Sequence, residues 1–549
     1  MTSPTDPKAP TLDQGAPDAP QKNRLRVLVD DLERRLADVA LMGGVDKIER
    51  QHERGKMTAR ERIEHLFDAG SFMEFGAHAT FHVGNEEVKG VRAPADGVIT
   101  GTGRIDGRLV ACAAYDFTVL GGSIGTTGEV KVTRVREIAL KQRIPIVWLI
   151  DSGGARLHPS GGLNQASTIA LFSDSGYLFR EQVHMSGVVP QVAAMVGPGA
   201  AGTAYIPGLA DYVPMVRKTS SMALGGPALV KAAVGEEISE EELGGSRVHN
   251  EESGVADKEV KSDAECLASI RTFLSFLPQN CTEKPPRRPY SAPSSERLPD
   301  AILDILPDSP KGSYDMKKLV EMLVDDGDLF EMKPKWAKNL LTCFARIGGF
   351  PVGVVANNPK YLGGVLDVDA ADKAARFITL CDAYSVPLVF LQDVPGFIIG
   401  SKMERQGIIR HGAKMLFAVA DATVPKLTVV VRKGYGAGYY VMAGRAYEPD
   451  VFVAWPTAEI SIMGPEGMVS IAMSKMLAAA PSAEVRKAML KQAADALRPH
   501  VDIYKVASHG FVDEIIDPRD TRAVLLRGLE LTVNKTVERP WRRRGVVPV

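Results

Sequence analysis

The chain has 549 residues, with 66 Lys and Arg against 67 Asp and Glu and a formal net charge of −1. That balance sets up no global field of the kind that holds nucleic acid or an anionic membrane, and no apolar run is long enough to cross a bilayer. The cysteines Cys112, Cys266, Cys281, Cys343 and Cys381 lie far apart with no Cys-x-x-Cys pair, which argues against a zinc ribbon or a disulfide framework and for a reducing, cytoplasmic setting.

Residues 1–22 are rich in Pro, Asp, Ala and Thr, lack an apolar h-region and read as a disordered tail. From Asn23 the spacing of Leu25, Leu28, Leu32, Leu36 and Val39 is helical, and the charged stretch 47–64 continues it as a solvated helical arm. Thr58 stands where an N-cap is needed, with Glu61 at the capping-box position. From Asp96 short β-rich runs punctuated by Gly give way to helices alternating with strands, such as residues 130–140 before Ile144-Pro145-Ile146-Val147-Trp148-Leu149-Ile150. This alternation predicts α/β layers. The first domain, arm included, spans 23–278. Prolines from Pro278 to Pro310 mark a linker at 279–312 with little regular structure, and the second domain occupies 313–549.

The second domain repeats the first. Arg104 corresponds to Arg346, Gly121-Gly122 to Gly363-Gly364, Pro145 to Pro387, Asp151 to Asp393 and Gly154 to Gly396, each pair 242 positions apart. After a small length change, Pro190 matches Pro425 and Gly202 matches Ala437, 235 positions apart. The stretch Lys433-Gly434-Tyr435-Gly436-Ala437-Gly438-Tyr439-Tyr440 directly follows the β-rich run Leu427-Thr428-Val429-Val430-Val431. A strand that empties into small residues and then a helix leaves backbone N–H groups unpaired. Such donors stabilise negative charge developing on a substrate oxygen. The first copy carries the same device in Gly197-Pro198-Gly199-Ala200-Ala201-Gly202, and two such turns suggest two carbonyl substrates. Asp151 and Asp393 read as turn residues at strand ends.

Two motif matches are set aside. Residues 197–202 fit the dinucleotide pattern GxGxxG, yet the acidic residue expected about twenty positions on is missing from residues 216–222. Gly121-Gly122-Ser123-Ile124-Gly125 fits the nucleophile elbow GxSxG, but the second copy has Val365 in place of the serine and no His follows in a triad context.

A family resemblance is carried in the first copy by Gly55-Lys56-Met57-Thr58-Ala59-Arg60-Glu61-Arg62-Ile63, Asp96-Gly97-Val98, Asp116-Phe117-Thr118 and Asp151-Ser152-Gly153-Gly154-Ala155-Arg156. In the second copy it is carried by Asp393-Val394-Pro395-Gly396-Phe397, Gly412-Ala413-Lys414 and Ala454-Trp455-Pro456-Thr457-Ala458-Glu459-Ile460. On these residues the chain resembles the acyl-CoA carboxylase β (carboxyltransferase) subunits, a group that includes the propionyl-, acetyl- and methylcrotonyl-CoA carboxylases. The resemblance covers nearly the whole chain after the tail.

The resemblance implies two tandem crotonase-like (ClpP/crotonase) α/β domains with an N-terminal helical arm, the first binding acyl-CoA and the second carboxybiotin. It places oxyanion donors on Ala201 and Gly202 in the first copy and on Ala437 and Gly438 in the second, where the family usually has Gly-Gly and Gly-Ala. It further implies acyl-CoA contacts at Gly121, Gly122, Ser123, Gly153, Gly154 and Tyr440, and biotin-side contacts at Gly363, Gly364, Pro395, Gly396 and Gly436. Tyr440 stands where, in the family, aspartate accompanies propionyl preference and isoleucine relaxes it. No metal is implied. The chain lacks a biotin-attachment Met-Lys-Met, since Pro334 follows Lys333 in the one approximate match, and lacks a Gly-rich ATP loop. It is therefore expected to work in fatty acid metabolism with a biotinylated α subunit carrying biotin carboxylase and carrier domains, as a homo-oligomer, a hexamer in the family. The basic stretch 539–544 is expected to be a solvated terminus. Two alternatives stay open: the carboxyltransferase of a biotin-dependent decarboxylase, and a non-catalytic scaffold subunit of a mixed carboxylase complex.

Overall fold

The structure is a computed structural model that describes residues 23–80, 92–156, 179–538 and 545–548. The tail at 1–22 and the basic stretch at 539–544 lie outside the described residues.

In the first half the strands are β1 (Met73–Phe75), β2 (Val98–Ile105), β3 (Arg108–Tyr115), β4 (Ile146–Ser152), β5 (Gln191–Ala200), β6 (Pro214–Val216), β7 (Ser221–Ala223) and β8 (Lys258–Val260). They form one sheet in the order β1-β2-β3-β4-β5-β6-β8, with β7 pairing β5. The second half supplies β9 (Leu329–Met332), β10 (Leu340–Ile347), β11 (Phe350–Asn357), β12 (Leu388–Val394), β13 (Lys426–Tyr435), β14 (Val451–Ala454), β15 (Glu459–Ser461) and β16 (Glu514–Ile515). Their order is β16-β14-β13-β12-β11-β10-β9, with β15 pairing β13. In both sheets an antiparallel hairpin (β2-β3, β10-β11) leads into parallel strands. Even the irregularity is repeated: the register shifts between Ile150 and Ser152 on β4 and between Gln392 and Val394 on β12. Asp151 and Asp393 therefore sit inside strands, at a bulge, and both are fully buried.

Every residue of β4 and of β12 is buried, as parallel strands with helices on their faces require. The helices Thr126–Gln142 and Val368–Ala383 follow β3 and β11 in equivalent positions. Each carries a buried lysine that braces the loop before its hairpin. Lys131 Nζ donates to the carbonyls of Ala95 at 2.8 Å and Val98 at 2.6 Å. Lys373 Nζ donates to Ala337 at 3.4 Å and Leu340 at 2.8 Å, and also to Lys333 and Trp336, both at 2.9 Å. Burial pulls the Lys131 ammonium down to about 8 and that of Lys373 to about 7. The 242-residue offset links these lysines as well, a pairing not drawn from the sequence.

The arm comprises helices Arg24–Ala40, Val45–Glu53 and Ala59–Leu66. The first has no buried residue, and Leu25, Leu28, Leu32 and Leu36 lie exposed along it. The third begins with the expected capping box: Thr58 Oγ1 accepts from the Glu61 N–H, and the Thr58 N–H donates to Glu61 Oε2. One expectation needs correction. The arm is not solvated throughout, because Gln51, Lys56 and Arg62 are buried against the first sheet. Burial lowers the Lys56 ammonium, and Asp151 opposes the shift.

The two halves share a continuous core. Phe273 and Phe276 of helix Asp263–Phe276 pack on Phe330 and Phe344 of the second sheet, and Phe344 meets Phe377. Between them runs the linker, whose regular structure is one short helical turn, Asp300–Asp304. It is pinned by Arg288 N–H to the Gly349 carbonyl, by the Arg287 guanidinium 3.8 Å from the Phe350 ring centre, and by Leu298 N–H to the Arg519 carbonyl. No described helix is long and apolar enough to cross a membrane.

Candidate active site

In each copy three chain segments end at the same edge of the sheet, the carboxyl end of its parallel strands. This is the edge at which open α/β sheets bind ligands. In the first copy the segment after β3 makes a tight turn, Leu120–Gly122, with Gly121 and Gly122 at φ 65° and 60°. A Cβ on Gly122 would stand 2.1 Å from the Asp151 carbonyl oxygen, so only glycine allows β4 to pass. The Gly153 N–H donates to the Gly121 carbonyl and the Ile124 N–H to the Gly154 carbonyl, both at 2.8 Å. Gly154 in turn lies against the Ala200 carbonyl at the end of β5. The structure thus brings Gly121, Gly122, Ser123, Gly153, Gly154, Ala201 and Gly202 together.

The second copy assembles Gly363, Gly364, Pro395, Gly396, Gly436, Ala437 and Gly438 in the same way. Gly364 faces the Asp393 carbonyl, the Leu366 N–H donates to the Gly396 carbonyl at 3.0 Å, and Gly438 packs on Gly396 and Val394. Among the described residues, no hydrogen bond or ion pair joins one set of turns to the other.

Ala201 adopts φ 52°, ψ −117° ahead of helix Gly202–Leu209, while its equivalent, Gly436, adopts φ 54° at the head of helix Gly436–Val441. The Ala201 N–H donates to the Ala223 carbonyl of β7 at 3.1 Å. That corrects the expectation that this amide points at a substrate. The Gly202 and Thr203 amides are the first two of the helix and have no partner within it. In the second copy helix Gly436–Val441 begins directly after β13, and its first amides likewise have no partner within the helix. Thr203 was missed because the family pattern stops at Gly202, whereas the amides left over are set by where the helix begins. Residues 433–435, read as part of the turn, belong to β13, and residues 197–200 of the GxGxxG match lie within β5.

The side chains around the two sets differ. Arg156, in the segment after β4, pairs with the Asp96 carboxylate and donates to Ser123 Oγ at 3.1 Å and to the Ser123 carbonyl at 2.8 Å. Ser123 is thereby held by a guanidinium, not by a histidine. In the second copy Tyr440 is 46% exposed and stands edge-on to Tyr439 and Tyr447, with ring centres 5.5 and 6.1 Å away. Two cavities, of about 560 and 490 Å³, lie away from these turns, beside Arg288 and Arg522 and beside Arg498 and Tyr504.

A family model described as the carboxyl transferase domain matches residues 50–547. The chain belongs to the carboxyl transferase family. It is 41% identical over 525 residues to the propionyl-CoA carboxylase carboxyltransferase subunit of Haloferax mediterranei, covering 95% of this chain and 99% of that one. It is equally 41% identical over 524 residues to the methylmalonyl-CoA decarboxylase subunit alpha of Veillonella parvula, covering 95% and 99%. The solved structure of transcarboxylase 12S, described as a hexamer assembly with methylmalonyl-coenzyme A bound, superposes with a TM-score of 0.89. Its identity is 39%, and the match covers 97% of this chain and 100% of that one. This carboxyl transferase is thus a biotin-dependent acyl-CoA carboxyltransferase of the propionyl-CoA carboxylase family, built on tandem crotonase-like domains.

Proposed function

We propose that the chain is the carboxyltransferase subunit of a biotin-dependent acyl-CoA carboxylase, with residues 23–278 taking the acyl-CoA thioester and residues 313–549 taking biotin. The observation that carries this reading is the pair of equivalent turns, one per copy, each leading from a strand end into a helix whose first amides have no partner within it. On the acyl side the thioester oxygen lies against the Gly202 and Thr203 amides, which stabilise the charge that grows on it as the α-carbon becomes nucleophilic. Gly121, Gly122, Ser123, Gly153 and Gly154 line the approach. On the other side Ala437 and Gly438, with Gly436, Gly363, Gly364, Pro395 and Gly396, hold the biotin ring. The fit there is a glycine cradle: a Cβ on Gly438 would stand 3.1 Å from the Gly396 Cα, and one on Gly436 would stand 2.9 Å from the Ile462 carbonyl oxygen. Carboxybiotin, carried by a biotinylated α subunit with biotin carboxylase and carrier domains, supplies the activated carboxyl group. Backbone donors suffice for this division of labour, so no Ser-His-Asp set is needed. Each copy provides half of a two-substrate site, and a hexamer in which the first domain of one chain meets the second domain of another completes it, in keeping with the assembly described for transcarboxylase 12S.

The test is acyl-CoA-dependent fixation of labelled bicarbonate by the purified chain with its cognate biotinylated subunit. No incorporation with any acyl-CoA overturns the reading and favours a scaffold role. The reverse direction has its own support, the equal identity to a methylmalonyl-CoA decarboxylase subunit. Net decarboxylation of methylmalonyl-CoA together with a membrane-bound partner, without bicarbonate fixation, distinguishes it.

A further inference from the structure

A fully buried carboxylate needs a cation or several donors, and the two copies meet that need differently. In the second copy Arg432, on the neighbouring strand β13, gives its Nε to Asp393 Oδ2 at 2.9 Å. The equivalent position in the first copy is Gly197. A Cβ there would fall 1.9 Å from Asp151 Oδ1, so β5 cannot supply a cation. Asp151 takes its donors from the N-terminal arm: Lys56 Nζ at 2.7 Å, Gln51 Nε2 at 2.8 Å and an Arg62 guanidinium nitrogen at 2.9 Å. Arg62 also bonds Asp263 at 2.7 Å and the Val196 carbonyl of β5 at 3.1 Å. Lys56 Nζ lies 5.1 Å from the centre of the Phe117 ring, and the Gly43 N–H donates to Thr118 Oγ1 at 3.1 Å. The arm therefore grips the segment after β3, the end of β4 and the middle of β5. These are the three segments that open into Gly121-Gly122, Gly153-Gly154 and Ala201-Gly202.

We propose that Lys56 and Arg62 are positioning residues for the acyl-CoA half-site, so that the arm is a working part of that half-site alone. This rests on the reading above that the first copy takes the acyl-CoA. Asp151 lies two residues before Gly153, and its pairing fixes where β4 ends and hence where the glycine turns and the Gly202 amide stand. The biotin half-site, whose aspartate is neutralised from within its own sheet, does not depend on the arm.

Lys56→Met, Lys56→Gln, Lys56→Arg and Arg432→Met are compared in the full chain assembled with its biotinylated partner. The measurements are the Kd of propionyl-CoA by calorimetry, the KM for the biotinylated carrier, and Tm. Lys56→Met is expected to weaken propionyl-CoA binding about tenfold or more while leaving the carrier KM within about twofold. Lys56→Arg restores binding, and Arg432→Met shows the opposite pattern. Lys56→Gln keeps a donor toward Asp151 and replaces Lys56→Met if that variant fails to fold. Folded Lys56 variants with unchanged acyl-CoA binding, or with equal changes on both sides, overturn the inference alone. A wild-type chain that binds no acyl-CoA overturns the reading of the first copy and the inference with it.

Discussion

At the turn of the first copy Arg156 ties Asp96 to Ser123, whereas the same places in the second copy hold Ile398, Lys338 and Val365. Over the same stretch Lys131 and Lys373 reach equivalent carbonyls, the bulges fall at equivalent residues, and the φ > 0 position of the turn is kept by Ala201 and Gly436. The copies have kept their backbone and changed the side chains that line it. What the two sets of turns share is therefore backbone, and what distinguishes them is side chains.

The largest effect expected from breaking the shared part is on turnover. Gly202→Pro removes the first amide of a helix, where proline is otherwise tolerated, and should lower kcat by about 10²-fold or more, as loss of one oxyanion donor does. Ala437→Pro should do the same from the other side. Unchanged turnover in a folded Gly202→Pro enzyme, with circular dichroism as the control, would remove that amide from the mechanism.

The lysine braces come next. Lys373→Met removes the ammonium that four carbonyls share and is expected to cost about 3–5 kcal/mol, read as a lower midpoint in urea. Because burial lowers Lys373 to about 7, the unfolded chain holds the extra proton between that value and the ordinary lysine range near 10.4. Stability should therefore rise with pH across this window, by up to about 1.4 kcal/mol per pH unit for one such lysine. The variant should flatten that slope.

Tyr440 sharpens the other half of the comparison. If it borders the acyl group of the facing chain, Tyr440→Ile should change the ranking of kcat/KM among acetyl-, propionyl- and butyryl-CoA by about 1–3 kcal/mol. Tyr440→Phe separates the ring from its hydroxyl. An identical ranking in all three proteins would show that this aromatic cluster does not choose the substrate.

The smallest effect concerns strain. Ala201 holds a backbone conformation suited to glycine, so Ala201→Gly should be neutral or stabilising by up to about 1 kcal/mol. Gly436→Ala should destabilise by more, since its Cβ would meet the Ile462 carbonyl oxygen at 2.9 Å. Thermal unfolding of both variants checks the contrast.

Much of the architecture was legible because the repeat is written in Gly, Pro and Asp, residues whose roles are local. Gly122 and Gly364 mark the same close approach of a strand, and Thr58 with Glu61 marks a helix start. The parts that were not legible are long-range. Nothing in the spacing of residues 47–64 separates Lys56 and Arg62, which are buried on a carboxylate about ninety residues away, from their solvated neighbours. Nor does the sequence show that Ala223 takes the Ala201 amide, because β7 reaches that turn only through the sheet.

The aromatic cluster of Phe273, Phe276, Phe330, Phe344 and Phe377 turns the proline-rich stretch from a tether into a strap laid over a joint that is already closed. Rings shared between the two sheets couple their unfolding, so heating should give one cooperative calorimetric transition instead of two. A chain cut within residues 279–312 should keep its halves together under native conditions. The two sets of glycine turns on one chain are then held at a fixed separation.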